Sequence, residues 1–416
     1  MVIVMTEIEI LGSGGEVGRS SILVKGKKTL VMDCGVKIQP EPPKYPVLEK
    51  VDAAIISHAH LDHVGAGPLL VKKGKIPIYM NDVTLELGTM LIEDSMKVAK
   101  KEGFNVPFDK VDVKRFVKNT KIVRYNEKFR VGDFECSLWP SGHIPGSASV
   151  MLDEKKRVFY TADIQTRPSR LLNPCILPNK VDTLILESTY GTKVQADRKK
   201  EEQRLIEAVE EAIANNSIAL MPVFAVGRAQ EVMLILKDYA KQIAIDGMVK
   251  KASEIVAQYG SYIKDPKEFR DVIKKVKFVH TDEDRATALK KYPIIFASAG
   301  MLGGGWAVHY LREMQEMKDS KVLFTGFLVE DSPGRNLIET KIFENAEERF
   351  HVHGNIQQIE LSAHADRDGL FDIVRRTKPK TVICVHGDKC EQFANDIEEE
   401  FKIQAFAPKN GETVKV

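Results

Sequence analysis

Residues 51–63, VDAAIISHAHLDH, constrain this chain more than any other stretch. An apolar run bounded by polar residues reads as a strand covered on both faces. This one opens directly into His58, His60 and His63, with Asp62 among them, so three of the ten histidines fall within six positions. His58 and His60 stand at i and i+2, a spacing that lets a slightly irregular loop aim both at one ion. Asp62 and His63, just beyond, reach for a second ion beside it. Imidazole suits zinc, and a carboxylate in the set suits a hydrolytic site better than a structural one. Whatever fold forms must bring further ligands to the end of this strand.

Candidates stand at the ends of other apolar runs. His143 lies in WPSGHIPGS, where Pro and Gly shape a tight loop, Asp163 follows VFYTA, and His386 follows VICV. Asp33 in VMDCG, Glu187 in LILEST and His364 in ELSAHAD occupy similar places. Each alone reads as structural. Together they follow apolar strands, where α/β-type layers place their sites.

The first third of the chain is a series of short strands, TEIEILG, SSILVKG and KTLVMDCG, broken by Gly and Lys-Gly turns. GSGGEVGRS fits neither the dinucleotide nor the phosphate-loop pattern and reads as a hairpin turn. Helices are expected at VTLELGTMLIEDSMKVAKKEG and after His63, and strands again at KIVRYNEKFRVGDFECSLWPS, ASVMLDEKKRVFYTAD and VDTLILEST. From about Lys193 helix and strand alternate. DRKKEEQRLIEAVEEAIANN puts Ile206, Val209 and Ile213 on one helical face, and SIALMPVF, YPIIFASAG and KVLFTGFL are buried strands. This is a parallel α/β insert. Strand-like runs resume with IQQIELSAH and KTVICVHG after about residue 355. Because polar strand ends flank the insert on both sides, residues 1–191 and 356–416 are expected to form one domain around residues 192–355.

A length of 416 residues exceeds a single ordinary core, which agrees with this division. No apolar run approaches about 20 residues, so no membrane-spanning helix is expected. The start, MVIVMTEIEI, lacks the basic region and cleavage site of an export signal. Five scattered cysteines without C-x-x-C spacing read as reduced, buried thiols of a cytoplasmic protein. A net charge of +2 neither demands nor excludes a polyanionic partner. The lysine-rich segment 250–291 has acids interleaved and reads as solvated helix faces.

HAHLDH, with Asp33, His143 in GHIPGS and Asp163 in YTAD, resembles the metallo-β-lactamase fold. LESTYG, PVFAVGRAQE, ASAGMLGGG, LSAHAD and VICVHGD narrow the resemblance to the β-CASP nucleases, among them the cleavage and polyadenylation factor endonuclease and ribonuclease J. It runs from the first strand to about residue 410. It implies an α/β fold, a metallo-β-lactamase αββα sandwich with an inserted parallel-sheet β-CASP domain. It also implies two zinc ions, one on His58, His60 and His143, the other on Asp62, His63 and His386, with Asp163 between them. Asp33 would position the histidines and Glu187 would orient His364, the expected proton donor to the leaving 3′ oxygen.

The resemblance further implies phosphodiester hydrolysis to 5′-phosphate and 3′-hydroxyl ends. Histidine rather than valine at position 386 is the mark of RNA-acting members, so single-stranded RNA is the expected partner, with a homodimer and an RNA-processing or decay complex as expected assemblies. The insert is expected to cover the zinc site and leave a groove for RNA. Endonuclease and 5′-to-3′ exonuclease action both stay open, and a DNA nuclease or a small-molecule metallo-hydrolase of the same fold are the alternatives. Gly300, Gly303 and Gly304 either let backbone N–H groups approach a phosphate or serve a close-packed turn. Arg228 meets either a phosphate or an internal acid. Trp306 and Tyr310 are expected to pack in the core rather than stack bases, and His351 and His353 to be structural. His280 and His309 have no partner motif. Starting directly on the catalytic fold, the chain is expected to lack the N-terminal RNA-binding extension of some relatives, and the separate C-terminal domain of others.

Overall fold

The computed structural model describes residues 6–39, 41–72, 74–330 and 332–416. By internal packing the chain divides into two units. The first comprises Met1–Pro168, Asn173–Val194 and His364–Val416, the second Ser169–Leu172 and Gln195–Ala363.

Two seven-stranded sheets build the first unit. One runs, edge to edge, through Thr413–Lys415, Glu7–Gly12, Ser21–Lys25, Thr29–Met32, Ala53–Ile55, Ile78–Met80 and Thr120–Ile122. The other runs through Gln404–Phe406, Thr381–Val385, Thr183–Glu187, Arg157–Tyr160, Ala148–Asp153, Phe134–Pro140 and Lys128–Val131. Period-2 patterning sets their faces. In Glu7–Gly12 the isoleucines are buried and the glutamates half-buried, and Ile8 pairs with Val24, Ile10 with Ile22. The segment 13–20 closes this antiparallel hairpin, as its glycines suggested.

Ile8, Ile10, Val24 and Met32 from the first sheet meet Leu138, Val150, Leu152 and Tyr160 from the second in one apolar core. On the outer face of the first sheet, Val31 and Ile56 pack with Ile92 and Phe116 of helices Asp82–Lys101 and Lys110–Asn119. On the outer face of the second, Leu184 and Leu186 pack with Leu370, Phe371, Phe393 and Ile397 of helices Arg367–Thr377 and Cys390–Phe401. The layers are therefore α, β, β, α. After His63 the expected helix is a single turn, Leu61–Val64, followed by a 3-10 turn, Gly67–Val71. Close packing limits it: a Cβ on Gly65 would lie 2.5 Å from Val36 Cγ1, and one on Gly67 would lie 2.6 Å from Phe116.

The second unit holds a wholly parallel sheet in the order Lys277–Phe278, Ile243–Asp246, Ile294–Ala297, Ala219–Pro222, Lys321–Phe324, Asn355–Gln358. Its central strands are buried throughout, as strands covered by helices on both faces must be. Helix Arg198–Ala214 buries Leu205, Ala208, Val209 and Ala212, so Ile206 and Ile213 lie at the margin of its face and not at its centre. Asn355–Gln358 pairs with Lys321–Phe324, which carries this sheet past residue 355, where the sequence placed the end of the insert. Its half-polar pattern suits an edge strand as well as a sandwich strand. Among the described residues no helix is long and apolar enough to cross a membrane.

Candidate metal centre

The histidine cluster sits at strand ends of the first unit, where the chain bends sharply. Asp33 (φ +61°) follows Thr29–Met32, Ala162 (φ +46°) precedes Asp163 after Arg157–Tyr160, and His386 (φ +53°) follows Thr381–Val385. Left-handed backbone is unfavourable for residues with a Cβ, and where it occurs the surrounding packing enforces it. Here it turns the chain off each strand beside the polar side chains. The segment 33–36 then runs against 61–63: Cys34 N donates to His63 O (2.8 Å) and Val36 N to Leu61 O (2.9 Å). That approach requires glycine at 35, because a Cβ there would lie 1.7 Å from Asp62 O. The His143 loop turns at Gly142 (φ +76°) and Gly146 (φ +84°). Ser147 Oγ pins it by accepting from the amides of His143 and Ile144, both at 3.1 Å.

These turns gather every metal ligand anticipated from the sequence into two groups. His58, His60, His143 and Asp163 form one; Asp62, His63, Asp163 and His386 form the other; in each, the potential ligand atoms lie within 4.8 Å of one another. Asp163 divides its oxygens between them. Oδ2 lies 3.4 Å from both His58 Nε2 and His143 Nε2, while Oδ1 lies 3.2 Å from His63 Nε2 and 3.5 Å from His386 Nδ1. His143 Nε2 and His60 Nδ1 are 3.0 Å apart, and His386 Nε2 is 3.2 Å from Asp62 Oδ2. The donor set fits a cation. His58 Nε2 and Asp163 Oδ1 are buried and make no hydrogen bond, which is costly for groups with this much polarity unless an ion satisfies them.

Electrostatics divide the groups. Burial holds His58, His60 and His143 neutral, with His60 pushed down to about 3, so these imidazoles offer lone pairs. Burial also works against a proton on His63 and on His386, but Asp163, with Asp62 and other acids nearby, raises both. Burial alone would raise Asp62 and Asp163; the neighbouring histidines, His63 foremost, instead hold both low.

A second ring of groups holds the ligands. Asp33, fully buried, accepts from Ser57 N (2.7 Å) and Ser57 Oγ (2.8 Å), from Tyr160 OH (2.9 Å), and pairs with His63 Nδ1 (2.7 Å). Ser57 Oγ is also 3.0 Å from His58 Nδ1, and Thr189 Oγ1 is 3.2 Å from His386 Nδ1. Ser57, Tyr160 and Thr189 were not anticipated; hydroxyls inside or beside apolar strands carry no motif of their own. Glu187, almost fully buried, accepts from Ile164 N (2.8 Å) and places both oxygens 3.0 Å from His364 Nδ1. His364 Nε2 lies 4.0 Å from Asp163 Oδ2, and Gln165 Nε2 fixes the His364 carbonyl at 2.8 Å. Burial opposes charge on His364, but Glu187 and then Asp163 outweigh it and push the imidazole up to about 9.

The remaining candidates belong to the second unit. Arg228 opens helix Arg228–Ile235 behind Gly227 (φ +82°). Gly300 is close-packed, since a Cβ there would lie 2.9 Å from Phe224 N, while Gly303 and Gly304 face open space. Tyr310 is fully buried with its hydroxyl 3.2 Å from Asp246, and the Arg285 guanidinium lies 3.1 Å over the Trp306 ring. His351, at the end of a separate two-stranded hairpin, and His353, just beyond it, are exposed, and neither belongs to a three-ligand group among the described residues.

Comparison with known proteins agrees with this geometry. Residues 14–202 match the metallo-beta-lactamase superfamily, residues 229–337 the Beta-Casp domain, and residues 349–408 a Zn-dependent metallo-hydrolase RNA specificity domain. A "Probable RNase MJ4" of Methanocaldococcus jannaschii is 36% identical, the alignment covering 99% of this chain and 100% of that protein. A "Transcription termination factor FttA" of the same organism is 34% identical over 98% of this chain and 71% of its own. An "RNase J-like protein", again from that organism, is 31% identical over 98% and 99%. A crystal structure of a protein of unknown function from Enterococcus faecalis V583 shares the fold, with a TM-score of 0.61 at 14% identity, over 99% of this chain and 100% of that one. The chain belongs to the metallo-β-lactamase superfamily, in the branch that carries a β-CASP domain.

Proposed function

We propose that this chain is a zinc-dependent ribonuclease that hydrolyses single-stranded RNA to 5′-phosphate and 3′-hydroxyl ends. The observation that carries this reading is Asp163, one buried carboxylate whose two oxygens serve two separate histidine groups. His58, His60 and His143 would hold one zinc ion, Asp62, His63 and His386 the other, with Asp163 shared. When bound, such a pair supplies Lewis-acid charge for a phosphodiester and activates water at neutral pH. RNA as substrate is supported by relatives named as RNases and by the match of residues 349–408, which include His364 and His386, to an RNA specificity domain.

The chain's own groups do the rest. Glu187 holds His364 Nδ1 with both oxygens and, against the pull of burial, favours the protonated imidazole. His364 Nε2 lies 4.0 Å from Asp163 Oδ2, so as general acid for the leaving 3′ oxygen it would stand next to the metal ligands; Asp163, Glu187 and His364 also form a third group able to hold an ion, and one variant separates the two roles. Replacing His364 by Ala should leave the zinc content unchanged by elemental analysis while lowering kcat by about 10²–10⁴-fold. A loss of zinc would make His364 a ligand and end this assignment.

Linear 5′-monophosphate RNA, a closed RNA circle and DNA of one sequence separate the remaining choices. Cutting of the circle marks an endonuclease, loss of the linear form alone a 5′ exonuclease, and loss of DNA alone refutes the substrate. The reading includes a cytoplasmic location, supported by five buried free thiols, and a homodimer, which light scattering tests.

A further inference from the structure

In the second unit, Ala219–Pro222 lies beside Lys321–Phe324, and the chain leaves these neighbours in opposite directions. From Ala219–Pro222 it passes through helix Arg228–Ile235 to Ile243–Asp246 on one side. From Lys321–Phe324 it passes through helix Pro333–Thr340 and the hairpin Ile342–Glu344/Arg349–His351 to Asn355–Gln358 on the other. In sheets of this kind, diverging connections mark the place, at the carboxyl ends of two parallel strands, where a ligand crevice forms.

The residues of that crevice are unusual for a strand end. The register pairs Ala219 with Lys321 and Leu220 with Val322, and continued past the strands it sets Phe224 level with Gly326. Packing agrees: a Cβ on Gly326 would lie 3.2 Å from Phe224 Cε2 and 3.9 Å from Arg228 Nε. Gly300 abuts the same ring, its Cβ position 3.3 Å from Phe224 Cδ2. Two glycines thus clear the surroundings of an aromatic ring that remains 37% exposed, and Phe327, just after Gly326, is 42% exposed. Thr325, which precedes Gly326, has its Oγ1 buried with no hydrogen-bond partner, as have Ser13, Ser21, Thr89 and Ser141 elsewhere. Trp306 and Tyr310, the aromatic residues the sequence drew attention to, are engaged by Arg285 and by Asp246.

We propose that this crevice binds a base of the RNA substrate, with Phe224 as the stacking platform, Phe327 beside it and Arg228 on the adjoining phosphate. The proposal rests on the ribonuclease reading. A flat ring suits any base, and a guanidinium at the first turn of a helix adds to the positive end of that helix.

Phe224→Ala and Phe224→Trp test it, assayed on a short single-stranded RNA and on bis(p-nitrophenyl) phosphate, a diester with no base. Stacking predicts that Phe224→Ala lowers kcat/KM for RNA, relative to that for the diester, by about 5- to 150-fold, mainly through KM. Phe224→Trp should restore most of it. An unchanged ratio in Phe224→Ala, or equal damage from Trp and Ala, overturns the proposal. If the parent protein hydrolyses the diester but no RNA, the ribonuclease reading itself has failed, a result distinct from either.

Discussion

Replacing Asp33 by Asn removes one charge and keeps the shape, so it isolates what the carboxylate does. Oδ1 accepts from Ser57 N at 2.7 Å, while Oδ2 meets Ser57 Oγ, Tyr160 OH and His63 Nδ1 at 2.8, 2.9 and 2.7 Å. An amide has one oxygen. If it stays on Ser57 N, the NH₂ faces the other three groups; both hydroxyls can rotate to accept, but His63 Nδ1 must give up its proton. The imidazole then carries its hydrogen on Nε2, the atom 3.2 Å from Asp163 Oδ1 and the one a metal needs bare. If the amide flips, its NH₂ abuts the Ser57 amide in a fully buried site, at about 1–3 kcal/mol. Either way the metal group containing His63 suffers. Partners of this kind typically change metal affinity by 10–100-fold, or about 1.4–2.7 kcal/mol. Competition titration with a fluorescent zinc chelator reads this directly, with the melting temperature of the metal-free variant as a control for folding. Two zinc ions bound with parental affinity would show that Asp33 does not set the His63 tautomer.

Other outcomes are equally specific. Gly35→Ala should cost about 3 kcal/mol or more, because its Cβ would meet Asp62 O at 1.7 Å; an unchanged melting temperature would contradict that packing. Removing metal by chelation should lower the melting temperature, and added zinc should restore about 2.7 kcal/mol at a hundred times its Kd, measured by calorimetry against metal concentration. Glu16 bonds Arg19, Lys37 and Asn410, and although burial works against it, these partners hold its carboxyl below 4.5. A depressed carboxylate stabilises above its unfolded pKa and loses that contribution as pH falls through its folded one. Parent and Glu16→Gln should therefore differ by about 1 kcal/mol at neutral pH and converge below pH 4.5 in urea titrations; a constant difference would refute the linkage.

The residues that gather at the centre were legible because their signal is local. His58, Asp163 and His386 each follow an apolar strand and Glu187 ends one, and that succession of residue types needs no knowledge of what lies across the fold. Partnerships were hidden for the opposite reason. Tyr160 reaches Asp33 across 127 positions, and a tyrosine in an apolar strand otherwise reads as core. Phe224 looked like one more apolar strand residue in SIALMPVF; only the folded chain shows its ring 37% exposed, against glycines more than seventy positions away. Asn355–Gln358 carries no mark of which sheet it joins, because edge strands of either architecture are half polar. The turn after His63 was shortened by two glycines whose contacts are tertiary.

Asp62 and His386 are 324 residues apart yet share one metal group. A ribosome making this chain releases His58, His60 and His63 early, then His143 and Asp163, and His386 only near the end. The donors of one group are thus complete once Asp163 is made, whereas the other waits for strand Thr381–Val385, which carries His386 to its place beside Thr183–Glu187.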